Sequence, residues 1–293
     1  MSRIAYVNGR YVPHGDAAVH IEDRGYQFAD GVYEVFAVNG ARLIGEQGHL
    51  DRLAHSLSEL RIDWPLGRRA LMVVVREVMR RNHVRDGLIY LQITRGAARR
   101  DHGFPDQTES ALVVTARKSG PLNKQALFSG VDVITIPDIR WERCDIKSVS
   151  LLPNVLGKQQ ARDAGAYEAW QVDKQGFVTE GTSTNAWIVN ADGELVTRNI
   201  STSILNGITR LAVLEAAQAA DVNIVLRPFT EEEATTAREA FITSSTSHVT
   251  AVTRINGTSI GNGHAGELTS RILDLYLSYV DQHGGPKVTE SWK

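Results

Sequence analysis

The stretch that decides the fold runs from Asp138 to Val189 and reads DIRWERCDIKSVSLLPNVLGKQQARDAGAYEAWQVDKQGFVTEGTSTNAWIV. Inside it, Lys147 comes just before a helix-like run, and Glu180 opens a turn of small hydroxyl residues. A lysine placed between a strand and a helix start can carry a carbonyl cofactor as a Schiff base. A carboxylate near the ring nitrogen of such a cofactor would keep it protonated, so that the ring acts as an electron sink.

Length and composition set loose bounds on the function. The 293 residues leave room for one large domain or two medium ones. A net charge of -2 gives no electrostatic signature of binding to nucleic acid or an anionic membrane. The lone Cys144 excludes an internal disulfide and a cysteine metal cluster, which suits a reducing compartment. The first residues, MSRIAYVNGRYV, lack the apolar core of a signal peptide, and no apolar run approaches the roughly 20 residues of a membrane span. We therefore expect a cytoplasmic enzyme.

The first third of the chain predicts a sheet with helices, in the α+β style. Asn8-Gly9 between two short apolar runs predicts a hairpin, since this pair favours a turn that matches strand twist. Leucines at three- and four-residue steps predict a helix over 49–62, and a similar pattern predicts another over 70–82. Further strands are predicted over 31–38, 87–95 and 111–116.

A domain boundary is predicted in the segment KSGPLNK, residues 118–124, because it has adjacent Gly and Pro and no apolar periodicity. We expect a small domain over 1–118, a linker over 119–124 and a larger domain over 125–293. The larger domain should contain helices over about 150–164, where Pro153 fits the first turn, and 207–220. Strands are predicted over 131–137, 169–172, 186–189 and 240–244, and the tail from Gly284 is expected to be frayed.

Several familiar catalytic signatures are absent from the sequence. It has no GxGxxG after a strand, no P-loop, no GxSxG and no HExxH, and its nine histidines form no i, i+4 metal pair. This pattern disfavours nicotinamide, nucleotide-triphosphate, serine-hydrolase and zinc chemistry.

Seven strings, in order, resemble the D-amino-acid transaminases of pyridoxal-phosphate fold type IV, a group that includes branched-chain aminotransferases and aminodeoxychorismate lyases. The resemblance is collinear from Val7 to about Leu268. It is carried by EDRGYQFADGVYEV (22–35), HLDRL (49–53), IYLQITRG (89–96), RCDIKS (143–148), TEGTSTN (179–185), GITR (207–210) and FITSSTS (241–247). It implies a two-domain α/β (α+β) protein with a small N-terminal domain and a larger domain built on a pseudo-barrel sheet. It also implies a homodimer with pyridoxal 5'-phosphate in the interdomain cleft.

By this resemblance, Lys147 forms the Schiff base with the cofactor and then moves the proton at the substrate Cα, two tasks that suit an amine. Glu180 matches the partner of the pyridine nitrogen, although a carboxylate that caps a turn is an alternative interpretation. The cofactor phosphate needs a cation and N–H donors, which a helix N-terminus supplies. The N–H groups of Ile208 and Thr209 are natural donors.

The resemblance assigns the remaining cofactor contacts. Arg52 matches the phosphate cation, with an exposed helix arginine beside Asp51 as the alternative. Ser245 contributes a hydroxyl. The further cofactor contacts are Leu205, Ser244, Thr182 and Ser183.

Substrate recognition is assigned to the loop after the strand 87–95. In the D-amino-acid enzymes, an arginine and a histidine two residues apart hold the substrate α-carboxylate with a tyrosine. Here these positions are Arg100, His102 and Tyr33. An arginine fork suits a carboxylate, but a merely solvated polar loop is the alternative. Arg99 and Asp101 depart from the family pattern, and Asp101 could pair with either arginine.

The sequence therefore predicts a transaminase that moves the amino group of a D-amino acid to a 2-oxo acid by a ping-pong mechanism. Three alternatives stay open: an (R)-amine or branched-chain transaminase, an aminodeoxychorismate-type lyase, and a cofactor-binding protein without activity. The preferred amino acid, the role of Arg99 and the oligomeric state are left undecided by the sequence.

Overall fold

The computed structural model describes residues 3–120 and 122–283. These residues form two compact units, one of residues 3–120, 122, 146–150 and 283 and the other of residues 123–145 and 151–282. Lys147 therefore belongs to the first unit and Glu180 to the second. The domain limits drawn from the sequence stay a prediction. The tail from Gly284, expected to be frayed, lies outside the described residues.

The first unit is built on a six-stranded antiparallel sheet. Its strands are β1 (Ile4–Val7), β2 (Arg10–Pro13), β3 (Gly31–Asn39), β4 (Arg42–Leu43), β5 (Gly87–Thr94) and β6 (Ala111–Lys118). They pair in the order β2-β1-β6-β5-β3-β4. The predicted hairpin is confirmed: Asn8 and Gly9 have φ of 43° and 89°, the positive values that this tight turn requires.

The helices of the first unit are α1 (Arg24–Phe28), α2 (Glu46–Leu60) and α3 (Arg68–Arg81). The two predicted helices are confirmed as α2 and α3, and each begins a few residues earlier than the apolar pattern suggested. A first turn needs no residue facing the core, so periodicity does not mark it. Leu50, Leu53 and Leu57 of α2 are buried in the core of this unit.

The second unit is built on a nine-stranded mixed sheet that curls into a half-barrel. Its strands are β7 (Val131–Pro137), β8 (Glu168–Val172), β9 (Val178–Gly181), β10 (Asn185–Val189), β11 (Leu195–Thr197), β12 (Ile224–Leu226), β13 (Glu239–Ser244), β14 (His248–Ile255) and β15 (Thr258–Ser259). They follow the order β12-β11-β10-β13-β14-β7-β8-β9, and β15 pairs with β14. The β11/β12, β7/β14 and β7/β8 pairs are parallel.

The helices of the second unit are α4 (Lys124–Ser129), α5 (Leu152–Asp163), α6 (Ile208–Ala219), α7 (Glu231–Thr235) and α8 (Glu267–His283). The two predicted helices are confirmed as α5, with Pro153 in its first turn, and α6. The sequence interpretation missed α8, although its buried Ile272, Tyr276 and Val280 have helical spacing. Within residues 3–120 and 122–283, no helix is both long and apolar enough to span a bilayer.

Candidate active site

Lys147 is fixed by its backbone along an open edge of β3. Strand β4 pairs only with Val38 and Asn39, at the far end of β3, so the edge near Gly31 is left for another segment. Tyr33 N donates to Lys147 O at 3.0 Å, and Val149 N donates to Gly31 O at 3.0 Å. On the other side of the residue, Lys147 N donates to Ser56 Oγ of α2 at 3.1 Å. The segment therefore lies beside β3 as a short extra strand. Its backbone bonds fix the position from which the Lys147 side chain leaves the chain.

The amine of Lys147 lies over an aromatic face. Its Nζ is 4.2 Å from the centroid of the Tyr33 ring, and that ring stacks on Tyr90 at 5.6 Å. Within residues 3–120 and 122–283, this Nζ makes no hydrogen bond or ion pair. Lys158 differs, since its Nζ donates to Tyr167 O and lies 3.7 Å from Glu168 Oε1. Burial raises the pKa of the Tyr90 hydroxyl to about 12, so Tyr90 stays neutral near pH 7.

A buried ion pair lies on the same strand and on α2. Arg52 donates to Glu34 from Nε at 2.9 Å and from Nη2 at 2.7 Å, a bidentate arrangement. His49 Nδ1 lies 2.7 Å from Glu34 Oε2, and since a carboxylate only accepts, His49 must carry the proton there. The Arg52 side chain is 8% exposed, which excludes the exposed surface arginine considered for it. Asp51 pairs with Arg68 instead.

Charge keeps Glu34 ionised in spite of its burial. Burial alone would raise its pKa, but the charge of Arg52 and the hydrogen bonds from Arg52 and His49 lower the pKa to about 2. Burial lowers the pKa of His49, and the nearby charges of Arg52 and Lys147 add to that effect. His49 is therefore a neutral donor beside a carboxylate that Arg52 balances.

Glu180 in the second unit is also buried and is held from several sides. Arg140 Nη1 and Leu205 N donate to Oε1, and Asn185 Nδ2 donates to Oε2 at 3.0 Å. Asn185 Nδ2 also donates to Leu205 O at 2.9 Å. These contacts fix the carboxylate in place, so Glu180 is no simple turn cap.

The guanidinium next to Glu180 is shared with another carboxylate. Arg140 also donates to Asp138, from Nε at 3.0 Å and from Nη2 at 2.8 Å. Two carboxylates thus face one guanidinium. A further buried guanidinium, Arg210, donates to Arg198 O at 2.7 Å and lies over the Trp187 ring. Among the described residues, it forms no ion pair with Glu180.

The pKa of Glu180 is raised. Burial is the largest cause, Arg140 opposes it, and the charge of Asp138 raises the pKa further. A buried carboxylate with a raised pKa is a strong acceptor for a cationic N–H group. Sequence reasoning missed Arg140 and Asp138, although both stand in the stretch that decides the fold.

The hydroxyl turn after Glu180 is organised by another residue that the sequence interpretation missed. Glu168 is fully buried on β8 and accepts hydrogen bonds from the side chains of Thr182, Ser183 and Thr184. The hydroxyl groups of Thr182 and Ser183, predicted to contact the cofactor, are thus directed at Glu168. Their role toward a cofactor stays a prediction.

The start of α6 offers backbone donors. Its N-cap, Gly207, makes no side-chain cap, and the first N–H groups of a helix have no partner within the helix. A Cβ on Gly207 would lie 2.0 Å from Asn185 Oδ1, so only glycine allows this close approach. The helix start is thereby packed against the residue that holds Glu180.

The hairpin from β13 to β14 carries Ser244 and Ser245. Ser244 Oγ accepts from Thr246 N at 3.2 Å and from Ser247 N at 2.9 Å, which shapes the turn around the half-buried Ser245. His248, at the start of β14, lies 3.2 Å from Tyr276 Oη of α8, and Tyr276 is also hydrogen-bonded to Thr209. The hairpin and the start of α6 are therefore joined through α8.

Arg100 and His102 lie on an exposed loop of the first unit, and both contact Phe28. The Arg100 guanidinium is 4.6 Å from the ring centroid, and the His102 ring is 5.4 Å from it. Asp101 Oδ1 accepts from Gly103 N at 3.0 Å, and among the described residues it forms no ion pair with Arg99 or Arg100. The structure brings Arg100 and His102 together but shows no contact between them and Tyr33 among the described residues.

Comparisons with known proteins agree with this arrangement. The model of the amino-transferase class IV family matches residues 31–255. A D-alanine aminotransferase of Bacillus licheniformis is 41% identical over 90% of this chain and 93% of its own length. A D-alanine aminotransferase of Staphylococcus haemolyticus is 36% identical over 94% of this chain and 97% of its own.

Solved structures give the same result for the fold. A branched-chain amino acid aminotransferase of T.th., solved with pyridoxamine 5'-phosphate, is 25% identical with a TM-score of 0.88 over 96% of this chain and 95% of that one. The Escherichia coli branched-chain amino acid aminotransferase is 23% identical, with a TM-score of 0.87 over 100% of this chain and 98% of that one. At this identity, the likeness supports the fold alone.

The chain belongs to the class IV aminotransferases. It is an aminotransferase that depends on pyridoxal phosphate, with the predicted type IV fold.

Proposed function

We propose that this aminotransferase moves the amino group of a D-amino acid, such as D-alanine or D-glutamate, to a 2-oxo acid such as pyruvate or 2-oxoglutarate. The relatives named D-alanine aminotransferase support the choice of a D-amino acid. When bound, pyridoxal phosphate supplies an electron sink for the electron pair left on the substrate Cα. The residues of the chain bind and orient the cofactor and the substrate, and they move the protons.

The observation that carries the proposal is the state of Lys147. Its backbone is pinned on both sides, and its amine lies on Tyr33 without a hydrogen-bond partner among the described residues. Such an amine is available to condense with an aldehyde, with loss of water, and, after the amino group of the substrate has displaced it, to take a proton from the substrate Cα. We therefore assign both tasks to Lys147.

The residues of the second unit suit the cofactor. Glu180, which shares the guanidinium of Arg140 with Asp138, would accept a hydrogen bond from the protonated ring nitrogen. The N–H groups of Ile208 and Thr209 and the Ser245 hydroxyl would hold the phosphate. Lesser contacts are proposed for Leu205, Ser244, Thr182 and Ser183.

Arg52 would add donors to the phosphate. Because Glu34 balances its charge, Arg52 would act through rigidly held N–H groups rather than through net charge. For the substrate, Arg100 and His102 would hold the α-carboxylate together with the Tyr33 hydroxyl.

Cofactor attachment is tested by Lys147→Ala with Lys158→Ala as the matched control. Borohydride reduction and peptide mapping should place the cofactor on Lys147 in the unaltered protein. Turnover should fall by more than about 10⁴-fold in Lys147→Ala, beyond the roughly 10²–10⁴-fold loss of a general base alone, and Lys158→Ala should stay active. A cofactor found on Lys158 would contradict the assignment.

Substrate class is tested by following the cofactor absorbance after adding D-alanine, L-leucine or an (R)-amine. D-alanine should change the spectrum fastest, and initial rates with two substrates should give the parallel lines of ping-pong kinetics. A faster reaction with the (R)-amine or with L-leucine would favour another transaminase. Pyruvate release from an aminodeoxychorismate-like substrate without an amino acceptor would favour the lyase, and an unchanged spectrum with every amino donor would favour a non-catalytic protein.

A homodimer and a cytoplasmic location are proposed on narrower grounds. The dimer rests on the resemblance to the family, and the location rests on the single cysteine. Light scattering on the purified protein would test the dimer.

A further inference from the structure

Arg24, on α1 of the first unit, is a buried arginine to which the sequence interpretation gave no role. It is 3% exposed, and its Nε donates to Asp30 Oδ2 at 2.7 Å. A buried guanidinium needs its charge balanced and its N–H groups paired. Asp30 supplies a negative charge that Arg24 shares with Arg95, and the remaining donors of Arg24 go elsewhere.

Those donors reach the loop that carries Arg100 and His102. Arg24 Nη1 donates to Asp101 O at 2.6 Å, and Nη2 makes a longer contact of 3.4 Å with His102 O. The carbonyls of two successive peptides, Asp101–His102 and His102–Gly103, thus both accept from Arg24. An exposed loop of this kind would otherwise sample many conformations, at a cost to any ligand that must order it.

The anchor of Arg24 is itself rigid. Asp30 accepts two further hydrogen bonds from Arg95, at 2.8 and 3.0 Å, and Arg95 donates to the carbonyls of Leu60 and Arg61 at the end of α2. Asp30 therefore ties Arg24 to the end of α2 through Arg95. The pKa of Asp30 is lowered: burial opposes this, but the bonds and charges of Arg95 and Arg24 outweigh it.

Phe28 completes the arrangement from the side. The guanidinium groups of Arg24 and Arg100 lie 4.9 and 4.6 Å from its ring centroid, and the His102 ring lies 5.4 Å away. Cation–π attraction favours both guanidinium positions. Arg24 thus fixes the loop backbone, while Phe28 contacts the two side chains that the loop presents.

We propose that Arg24 and Phe28 are positioning residues that hold Arg100 and His102 ready for the substrate carboxylate and so determine selectivity for amino acids over amines. This inference rests on the proposed function, because it requires Arg100 and His102 to bind that carboxylate. Neither Arg24 nor Phe28 needs to touch the substrate.

The test compares two substrates that differ at the carboxylate alone, D-alanine and D-alaninamide. The rate of the first half-reaction is followed by the cofactor absorbance in the holoenzyme. The variants are Arg24→Met, Arg24→Lys, Phe28→Leu and Phe28→Tyr, with Arg100→Ala as reference. Arg81→Met is the matched control, since Arg81 also lies over an aromatic ring of this unit, Tyr11 at 4.2 Å, but away from the loop.

Arg24→Met and Phe28→Leu should each lower kcat/KM for D-alanine roughly tenfold through KM, the size expected when a charge-assisted bond weakens. The rate with D-alaninamide should change by less than about threefold, as for an indirect packing effect. Arg24→Lys should recover part of the selectivity, Phe28→Tyr most of it, and Arg81→Met should leave it unchanged. Because Phe28 is half-buried, Phe28→Leu keeps the test valid even if Arg24→Met does not fold.

Two contrary results have different meanings. If Arg100→Ala itself slows both substrates equally, the proposed carboxylate site is wrong. If Arg100→Ala is selective for D-alanine but Phe28→Leu and the folded Arg24 variants are not, the positioning role is wrong and the proposed function stands.

Discussion

Glu34 in the first unit and Glu180 in the second are both buried and both bonded to an arginine, yet their pKa values move in opposite directions. Burial raises the pKa of each. Glu34 forms a bidentate pair with the guanidinium of Arg52, and its pKa falls to about 2. Glu180 shares Arg140 with Asp138, and its pKa is raised.

The difference shows that the charges and hydrogen bonds around a buried carboxylate decide whether the pKa-raising effect of its burial is outweighed. A balanced pair such as Glu34–Arg52 has no further demand for a cation and holds strand β3 to helix α2. Glu180 shares Arg140 with Asp138, and its raised pKa suits a carboxylate that accepts from a cationic ligand group. The predictions below test this contrast, from the largest expected effect to the smallest.

Glu34→Gln should lower the free energy of unfolding by about 3–5 kcal/mol, because it removes one partner of a buried ion pair. Urea unfolding of the apoprotein measures the loss. The double variant Glu34→Gln/Arg52→Met should recover part of it, since no buried charge then remains unpaired. A loss below about 1 kcal/mol would mean that water screens the pair as it does at a surface.

Glu180→Gln should affect activity more than stability. An amide cannot carry the negative charge that matches a ring N–H, so kcat/KM for D-alanine should fall by roughly 10²–10³-fold. The free energy of unfolding should change less than in Glu34→Gln, because Arg140 keeps Asp138 as a counter-charge in this variant. A stability loss equal to that of Glu34→Gln would remove the contrast between the two carboxylates.

The pH dependence of the free energy of unfolding should also distinguish Glu34 from Glu180. The folded pKa of Glu34 lies at about 2 against an ordinary 4.5, so its stabilisation is complete above pH 4.5 and is lost as the pH falls towards 2. The loss should be about 3 kcal/mol and should be missing in Glu34→Gln. Glu180 should have the opposite effect on the free energy of unfolding, because its raised pKa lowers that free energy as the pH rises above 4.5. Unfolding curves of the apoprotein over this range would measure both, and a Glu34→Gln curve parallel to that of the unaltered protein would contradict the assignment.

Asp51→Asn should change the free energy of unfolding by less than about 1 kcal/mol. The Asp51–Arg68 pair is as short as the buried ones, at 2.7 Å, but its side chains are 58% and 42% exposed. Asp51 is next to Arg52 in the chain, so Asp51→Asn controls for the position on α2. A loss as large as that of Glu34→Gln would show that distance alone sets the strength of these pairs.

Much of the fold could be read from the sequence because its signals are local. The Asn8-Gly9 turn, the leucine spacing of α2 and the apolar strands each depend on neighbouring residues, and each prediction is confirmed. The ends of helices were less well predicted, since a first turn has no apolar pattern. Helix α8 was missed although its spacing was readable.

The candidate site was partly readable as well. The motifs around Lys147 and Glu180 indicated the family and the cofactor, and both are confirmed. The individual residue roles stay predictions. Arg140 could have been noticed, because it stands two residues after Asp138 in the stretch that decides the fold, but nothing local tells that it shares its charge with Glu180.

The sequence by itself determined the family, the cofactor and the class of reaction, because these depend on residue types within short motifs. Tertiary structure alone decided which guanidinium meets which carboxylate. Arg52 meets Glu34 from 18 residues away, Arg140 meets Glu180 from 40, and Arg24 meets the carbonyl of Asp101 from 77. The pKa of a buried group depends on the charges that folding brings within a few ångströms, and no local pattern records them.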